Sequence, residues 1–309
     1  MYLYFIPKGG LNDILCGLNI CLAYSKRHNR VLLFDTTQSC YQINFSDYFK
    51  LPQKNIIYDI NEIRNICKDN YKIYPTFLNN KLKEIMSGSL EFKFRPGGFT
   101  YNNQSIKLPH ERRKEEIIFY TCCGGGKGFR MFKKLIFKQN IIQYCKDNYN
   151  LIKNPYLCIQ VRNTDRKCQY KKMYESQKAF INNYKSIYVA TDDEDALVFF
   201  KSKGLNIINF TTFGLIKSRN LHVNSSINPD TKIMDLISDI YIITMSDKFL
   251  SNSVGGFIDL VRDCRRNRDF ISRKFITTLP ASIEKKSLIE CIDIGNTILD
   301  FTKGFRKIA

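Results

Sequence analysis

The chain has 309 residues, which is long for a single hydrophobic core and sufficient for two domains. With 44% hydrophobic and 13% aromatic residues it is not an intrinsically disordered protein. Its apolar runs are interrupted by charge, so none reaches the roughly 20 residues that a membrane helix needs. The formal net charge of +19 leaves nucleic acid, a membrane surface and phosphorylated substrates open as partners.

The same charge would arise from solvated lysines that serve no partner. The basic residues are spread along the chain, and no module in which basic and aromatic residues alternate stands out. We therefore expect no nucleic-acid partner and no transmembrane segment, while contact with a membrane surface stays open.

The cysteine pattern indicates a reducing compartment. The eleven cysteines are scattered, and several, such as Cys16, Cys21 and Cys158, lie inside apolar runs. This is typical of buried thiols and not of a disulfide framework, and no zinc-ligand spacing is present. The first residues lack the features of a secretory signal. We expect a cytoplasmic protein with no metal site.

The first elements in chain order form a predicted βαβ unit. Residues 2–6 are a short apolar run typical of a buried strand, and residues 7–10 contain the Pro and Gly of a turn. A helix is predicted to follow and to end at 28–29, before a strand at 31–35. Its apolar face is marked at helical spacing by Leu11, Leu15, Leu18 and Leu22.

The turn of this unit is a candidate binding site. Gly9 and Gly10 permit close approach of the backbone to a ligand, and the following helix N-terminus favours an anion or a hydroxyl group. Asn12 could cap the helix, and Asp13 in its first turn would complement the helix dipole. The alternative is a well-capped helix without chemistry.

Residues 40–115 are less regular. Strands are predicted at 56–60 and 115–121, with loops over an opening between them, including the Arg-Pro-Gly-Gly run at 95–98. The Gly-rich run at 122–128 departs from the P-loop pattern, so ATP hydrolysis is not expected, and we expect a loop at the mouth of a cleft. A helix is predicted at 138–150.

The second half alternates strands and helices, which favours a parallel, doubly wound sheet. Strands are predicted at 156–161, 186–191, 205–210 and 248–251, and helices at 194–203, 231–245 and 254–265. The predicted fold class is α/β, with two Rossmann-like domains facing a central cleft. The expected divisions are a first domain at 1–152, a second domain at 153–285, and a helical tail at 286–309 that packs back on the first domain.

Two strand ends carry the sharpest functional signal. Arg162 follows the strand at 156–161, and Asp165 comes three residues later. An arginine at the carboxyl end of a central strand is costly unless it serves a ligand or an ion pair. A guanidinium group forms bidentate hydrogen bonds with phosphate, so a diphosphate is the favoured ligand. A buried salt bridge between Arg162 and Asp165 is the alternative.

The run Thr-Asp-Asp-Glu-Asp at 191–195 has two interpretations. As an acidic cluster after a strand it is similar to the D-x-D metal site of one class of sugar-nucleotide transferases. As a helix start, Thr191 or Asp192 caps the helix and the following acidic residues occupy its first turn. We favour the second interpretation for Asp193, Glu194 and Asp195, and we expect Asp192 to contact a base or ribose.

The run Ser251, Asn252 and Ser253 follows the last strand and precedes a helix that begins near Gly255 and Gly256. Small hydroxyl residues and glycines at a helix N-terminus can bind phosphate through backbone N–H groups. Taken alone, the run is equally typical of an ordinary helix cap.

These motifs occur in an order that resembles the fucosyltransferases, a superfamily of α1,2-, α1,6- and protein O-fucosyltransferases that includes bacterial nodulation enzymes. The Gly-Gly-Leu-Asn turn at 9–12 with the segment 23–35 resembles their opening, and Tyr-Val-Ala-Thr-Asp-Asp at 188–193 resembles a later segment. Ile-Gln-Val-Arg-Asn-Thr-Asp at 159–165 is similar to an H-x-R-x-x-D motif, with Gln160 at the histidine position. Phe-Leu-Ser-Asn-Ser at 249–253 resembles the final motif.

The resemblance implies a GT-B fold and an inverting, metal-independent transfer of fucose from GDP-fucose to a glycan hydroxyl. It implies that 1–152 is the acceptor-side domain and that 153–285 is the nucleotide-sugar-binding domain. The resemblance also places Gly9, Gly10 and Thr191 in the donor site. Carried over by position, Arg162 would bind the β-phosphate, with Asp165 orienting it, and Asp192 would lie near the guanosine. Ser251, Asn252 and Ser253 would contact the diphosphate, and Asn12 would lie near the reacting centre.

The general base is open. Asp13 is our candidate because it lies in the glycine turn that faces the cleft, although the family has Asn or Gln there. Two other functions stay open: a GT-B enzyme with a different nucleotide sugar, and a basic protein that binds nucleic acid or a membrane surface. A metal-dependent D-x-D transferase is further from the pattern.

Overall fold

The computed structural model describes residues 1–68, 70–164, 167–215 and 221–276. Asp165 and the tail predicted at 286–309 therefore lie outside the described residues.

The strands and helices of these residues follow each other largely in alternation. The strands are β1 (Tyr2–Lys8), β2 (Val31–Phe34), β3 (Phe49–Lys50), β4 (Ile56–Ile57), β5 (Ile73–Tyr74), β6 (Lys93–Arg95), β7 (Gly98–Tyr101), β8 (Gln104–Lys107), β9 (Ile117–Cys123), β10 (Ile136–Phe137), β11 (Leu157–Val161), β12 (Ile187–Thr191), β13 (Ile207–Ile208) and β14 (Lys248–Leu250). The helices are α1 (Leu11–His28), α2 (Ile60–Ile66), α3 (Leu82–Ser87), α4 (Phe129–Phe132), α5 (Gln139–Asn150), α6 (Tyr170–Ile181), α7 (Glu194–Ser202), α8 (Pro229–Met245), α9 (Gly256–Arg266) and α10 (Arg268–Ile276).

The first sheet is parallel and has the strand order β4-β2-β1-β9-β5. Its central strand, β1, is apolar on both faces, and Leu3, Tyr4, Phe5 and Ile6 are all buried. A strand that is buried on both faces has a continuously apolar sequence, because helices and loops cover both faces of a parallel sheet. The turn at Gly9 and Gly10 therefore lies at the carboxyl edge of this sheet.

The second sheet is also parallel, with the order β13-β12-β11-β14. Strand β11 lies between β12 and β14, and all five of its residues are buried. One face of the sheet packs with α6 and α7 in a separate apolar cluster that includes Tyr174 and Phe200. Arg162 follows the last residue of β11, at the carboxyl edge where an open α/β sheet binds ligands.

The two sheets are joined by helices that share one apolar cluster. Helix α5 packs on α8, and α1 packs on α9, so the first sheet and one face of the second belong to a continuous core. Tyr144 of α5 donates a hydrogen bond to Asp235 of α8 over 2.6 Å. Helix α10 also contacts the first half of the chain, because Lys274 donates a hydrogen bond to the carbonyl of Leu135, just before β10, over 2.5 Å.

Two expectations about the first half were wrong. The segment around 95–98 is not a loop but part of an antiparallel sheet of β6, β7 and β8, whose short polar strands gave little periodicity. Asn12 does not cap α1, because the N-cap is Gly10 and Asn12 is already the second residue of the helix. The strand expected at 115–121 extends to Cys123.

No helix in the described part of the chain is long and apolar enough to cross a membrane. The cysteines of that part are free thiols and form no disulfide among themselves. Burial raises the pKa of most of them, for example Cys16, Cys122 and Cys67, so these thiols are protonated at neutral pH and behave as small apolar side chains.

Candidate active-site cavity

A cavity of about 350 Å³ lies between the carboxyl edges of the two parallel sheets. This is the place where doubly wound α/β folds bind ligands, and the volume is within the range of small-molecule sites. Residues from both sheets and from α8 and α9 line it: Gly9, Gly10, Leu11, Asn12, Asp13, Tyr41, Gln160, Val161, Arg162, Ala190, Thr191, Asp192, Thr211, Thr212, Leu221, Ile227, Lys232, Asp235, Leu236, Asp239, Gly256 and Phe257.

The segment after β14 supports the end of β11 through a chain of hydrogen bonds. The Arg162 backbone N–H donates to the Ser253 hydroxyl over 3.0 Å, and the Ser253 N–H donates to the Ser251 hydroxyl over 3.1 Å. The Ser251 hydroxyl in turn donates to Gln160 Oε1 over 2.7 Å. Ser253 and Gln160 are buried, so these bonds define where the backbone of Arg162 lies.

Asp192, at the end of β12, organises the loop that follows Arg162. Its Oδ1 accepts from the Asn163 N–H over 2.7 Å, and its Oδ2 accepts from the Thr164 hydroxyl over 2.5 Å. Asp193 is the N-cap of α7 and accepts from the Asp195 N–H over 3.1 Å. The run is therefore a helix start as expected, but the cap is Asp193 and not Thr191 or Asp192. Asp192 therefore lines the cavity and also stabilises the loop next to Arg162.

Helix α9 points its N-terminus at the cavity. Gly255 precedes it with φ of 117°, a conformation that L-residues with a side chain rarely adopt, and Gly256 and Phe257 line the cavity. No side chain in the described part of the chain caps this helix. The first N–H groups of a helix carry partial positive charge and can bind an anion, so this end of the helix and Arg162 present matching electrostatics to the same space.

Asp13 lines the opposite, first-sheet wall. Its carboxylate lies against the backbone at two glycines: a Cβ atom at Gly124 would be 1.9 Å from Oδ1, and one at Gly9 would be 2.6 Å from Oδ2. Only glycine at these positions leaves room for the carboxylate. The sequence placed Asp13 in the first turn of α1, and the structure adds that two backbone segments enclose it.

Asn12 connects α1 with the glycine-rich loop that follows β9. The Gly128 N–H donates to Asn12 Oδ1 over 2.9 Å, and Asn12 Nδ2 donates to the Gly126 carbonyl over 3.2 Å. The same side chain packs against Gly256, where a Cβ atom would be 2.7 Å from Nδ2. Asn12 is buried and has its amide satisfied by backbone, so in this structure it positions the loop and the start of α9.

Helix α8 contributes a polar face that was not predicted from the sequence. Lys232, Asp235 and Asp239 all line the cavity. Asp235 accepts from the Thr212 N–H over 2.8 Å as well as from Tyr144, and Asp239 accepts from the Tyr188 hydroxyl over 2.5 Å. The signal was present in the spacing, because positions 232, 235 and 239 fall on one face of an otherwise apolar helix.

The pKa of Asp239 differs from that of an ordinary aspartate. Burial raises it to about 7, and the nearby charge of Asp235 acts in the same direction. Hydrogen bonds from Tyr188 and Thr211 oppose the shift because they favour the ionised form. Asp239 therefore titrates near neutral pH in the unliganded protein.

Tyr41 also went unrecognised in the sequence. It is buried, it lines the cavity, and its hydroxyl accepts a hydrogen bond from the Leu11 N–H over 3.2 Å. A tyrosine in an irregular segment carries no periodic signal, so only the tertiary structure places it at the start of α1.

The structure thus brings most of the predicted site residues together. Those that line the cavity are Gly9, Gly10, Asn12, Asp13, Arg162, Thr191 and Asp192. Ser251, Asn252 and Ser253 are not among the lining residues, and the two serines instead bind the end of β11. Asp165 lies outside the described residues.

The arrangement of the two sheets is found in solved structures. The crystal structure of the fucosyltransferase NodZ from Bradyrhizobium matches with a TM-score of 0.53 and 13% sequence identity, over 84% of this chain and 91% of that chain. A NodZ α-1,6-fucosyltransferase structure soaked with GDP-fucose matches over the same shares of the two chains, with a TM-score of 0.52 and 14% identity. No family model and no curated protein matches the sequence.

At this level of identity the likeness concerns the fold. The chain has an α/β fold of the GT-B kind, in which two Rossmann-like units face a central cleft, and this confirms the fold class expected from the sequence.

Proposed function

We propose that the protein is a GT-B glycosyltransferase that transfers fucose from GDP-fucose to a hydroxyl group of a glycan. The observation that carries the proposal is Arg162, which follows a central strand and lines the same cavity as the uncapped N-terminus of α9. The fold supports it, because a crystal structure of NodZ, a fucosyltransferase of the same fold, is of the enzyme soaked with GDP-fucose.

The leaving group determines what the cavity must supply. When a glycosyl bond to a nucleoside diphosphate breaks, negative charge grows on the diphosphate. In this proposal the Arg162 guanidinium and the N–H groups at the start of α9 stabilise that charge. Such donors cost little reorganisation because the hydrogen bond to Ser253 and the Asp192 contacts already determine the Arg162 backbone.

The acceptor reacts from the other wall. Asp13 belongs to the first sheet's helix and Arg162 to the second sheet's strand, and both line the cavity. An acceptor hydroxyl that approaches from the Asp13 side attacks the anomeric carbon opposite the departing diphosphate, which inverts its configuration. Asp13 accepts the proton of that hydroxyl as general base.

The nucleoside end of the donor has polar partners in the second unit. Asp192, Asp235 and Asp239 line the cavity next to the backbone of 211–212. Carboxylates accept hydrogen bonds from ribose hydroxyls and from the N–H groups of a nucleobase. The diphosphate at Arg162 and the nucleoside along α8 together fill the second-sheet side of the cleft.

A different sugar or nucleotide is the second candidate, and Gln160 favours it. Gln160 stands where the fucosyltransferase motif has histidine, and its side chain accepts from Ser251 inside the buried network. An amide that is used this way differs from an imidazole in charge and in donor pattern, which can change the preferred donor.

Thermal-shift and calorimetric titration with a panel of nucleotides and nucleotide sugars tests the proposal. We expect GDP and GDP-fucose to raise the melting temperature more than UDP, ADP and their sugars, and labelled fucose to be transferred to a glycan mixture. Binding of a different nucleotide would retain the GT-B enzyme and change the donor. No binding of any nucleotide would contradict the enzyme proposal.

Metal independence and a cytoplasmic location are part of the proposal. Transfer should persist in EDTA, whereas activity that is abolished by EDTA and restored by Mn²⁺ would contradict it. Oligonucleotide titration at physiological salt tests the rival, a basic nucleic-acid-binding protein, because non-specific binding to phosphates falls steeply as salt increases.

A further inference from the structure

Lys232 of α8 is a buried cation that has no hydrogen-bond or ion-pair partner among the described residues. It lines the central cavity and is 8% exposed. It forms no hydrogen bond and no ion pair with any residue that the structure describes. Taking an ammonium group out of water without compensation is costly, and burial accordingly lowers the pKa of Lys232. Such a group indicates an anion that is supplied from outside the chain.

The charges around the cavity restrict what that anion is. Among the described residues that line it, the cationic side chains are Arg162 and Lys232, while the carboxylates belong to Asp13, Asp192, Asp235 and Asp239. A nucleoside diphosphate brings further negative charge into this space. The guanidinium of Arg162 alone neutralises only part of the negative charge of a diphosphate. Among the described lining residues, Lys232 is the other cation that can bind it.

The position of Lys232 relative to Arg162 supports a shared ligand. Cys40 and Tyr41 are adjacent in the chain. Burial raises the pKa of the Cys40 thiol, and the charge of Lys232 is among the causes that act against it. Burial also raises the pKa of Tyr41, and there the charge of Arg162 acts against it. Both cations line the same cavity, Lys232 from α8 and Arg162 from the end of β11.

We propose that Lys232 is a second cationic ligand of the diphosphate, and that it stabilises the leaving group together with Arg162. The inference rests on the proposed function for the reaction, although it requires only that a diphosphate binds in the cavity. An ammonium group on α8 and a guanidinium group after β11 bind the anion from two elements, and the combined positive field matches charge that develops as the glycosyl bond breaks.

Three variants test this. K232M removes the charge and keeps most of the length of the side chain, and K232R retains the charge. K248M removes one charge from an exposed lysine at the start of β14 and is the matched control. Each variant is titrated with GDP, guanosine and inorganic pyrophosphate by calorimetry or competition, and its melting temperature is measured without ligand.

We expect the K232M substitution to lower the binding affinity for GDP and for pyrophosphate about 10- to 100-fold, as is typical for loss of a charge-assisted hydrogen bond. Guanosine affinity should stay within about twofold, since no phosphate is involved. K232R should retain most of the affinity, and K248M all of it. K232M should melt no lower than the parent protein, because an unpaired buried charge has been replaced by an apolar side chain.

Several results would overturn the inference. Equal losses for guanosine and GDP would place Lys232 at the nucleoside. Unchanged GDP and pyrophosphate binding with a raised KM for the acceptor would assign it to an anionic group on the acceptor. A lower melting temperature in K232M would give it a structural role. If the parent protein binds pyrophosphate but not GDP, the proposed donor is wrong while the inference about Lys232 can still be tested with pyrophosphate.

Discussion

The backbone N–H of Arg162 donates a hydrogen bond to the hydroxyl of Ser253 over 3.0 Å. The two residues are 91 positions apart and follow different strands, β11 and β14, which pair in the second sheet. The bond is made by the backbone of Arg162 and does not involve its guanidinium, and Arg162 lines the cavity. The segment 251–253 therefore acts on the site through the position of Arg162.

Replacement of Ser253 should weaken donor binding without any direct contact to the donor. In S253A the Arg162 N–H loses its partner, and we expect a loss of GDP affinity of about fivefold, in line with one hydrogen bond of about 1 kcal/mol. Calorimetry of GDP binding measures this, with S176A, an exposed serine on α6, as the matched control. GDP affinity that is unchanged in a folded S253A protein would refute the positioning role.

Replacement of Arg162 should be far more severe. R162A removes the group that we place on the diphosphate, and we expect transfer to fall by about 10²- to 10³-fold, as for other donors that stabilise developing charge. R162K retains a point charge but not the bidentate fork, so an intermediate rate is expected. The assay is transfer of labelled fucose, with circular dichroism to confirm folding. A folded R162A enzyme of full activity would exclude the donor-site assignment.

Asp13 should affect turnover and not donor binding. D13N keeps the shape of the side chain but cannot accept a proton, so kcat should fall by about 10²- to 10⁴-fold while GDP affinity is retained. Because a Cβ atom at Gly124 would be 1.9 Å from Asp13 Oδ1, G124A should displace the carboxylate and lower kcat as well. An unchanged kcat in D13N would leave this residue only its role at the start of α1.

The stability of the unliganded protein should depend on pH through Asp239. Burial raises its pKa to about 7, above the value of about 3.9 for an unfolded chain. Between these two pKa values the folded state binds a proton that the unfolded state has released. The contribution of Asp239 to the free energy of unfolding is therefore fully present below about pH 4 and is lost as the pH rises to about 7.

The variant D239N isolates this effect, because an amide does not titrate and its oxygen can still accept from Tyr188. We expect the melting temperature of D239N minus that of the parent protein to increase between about pH 5 and about pH 8. Differential scanning calorimetry without nucleotide measures the difference. A melting-temperature difference that does not vary with pH would show that Asp239 is already ionised at about pH 5.

The sequence by itself determined the local architecture of the protein. The apolar runs of β1 and β11, the helical spacing of α1, and the glycines after β1 are patterns within one element, and they are governed by the period of each secondary structure. For the same reason Arg162 could be located at a strand end, and Gly9 and Asp13 at a turn. Parallel strands then bring such ends to one edge of each sheet.

Tertiary structure alone decided which distant segments share the cavity. Asn12 was expected to cap its own helix, but its amide binds the loop at Gly126 and Gly128, 114 and 116 positions away. Lys232 and Asp239 enter the cavity because α8 packs on α5, where Tyr144 meets Asp235. Contacts of this range depend on how apolar faces fit together in three dimensions, and no periodicity along the chain encodes that fit.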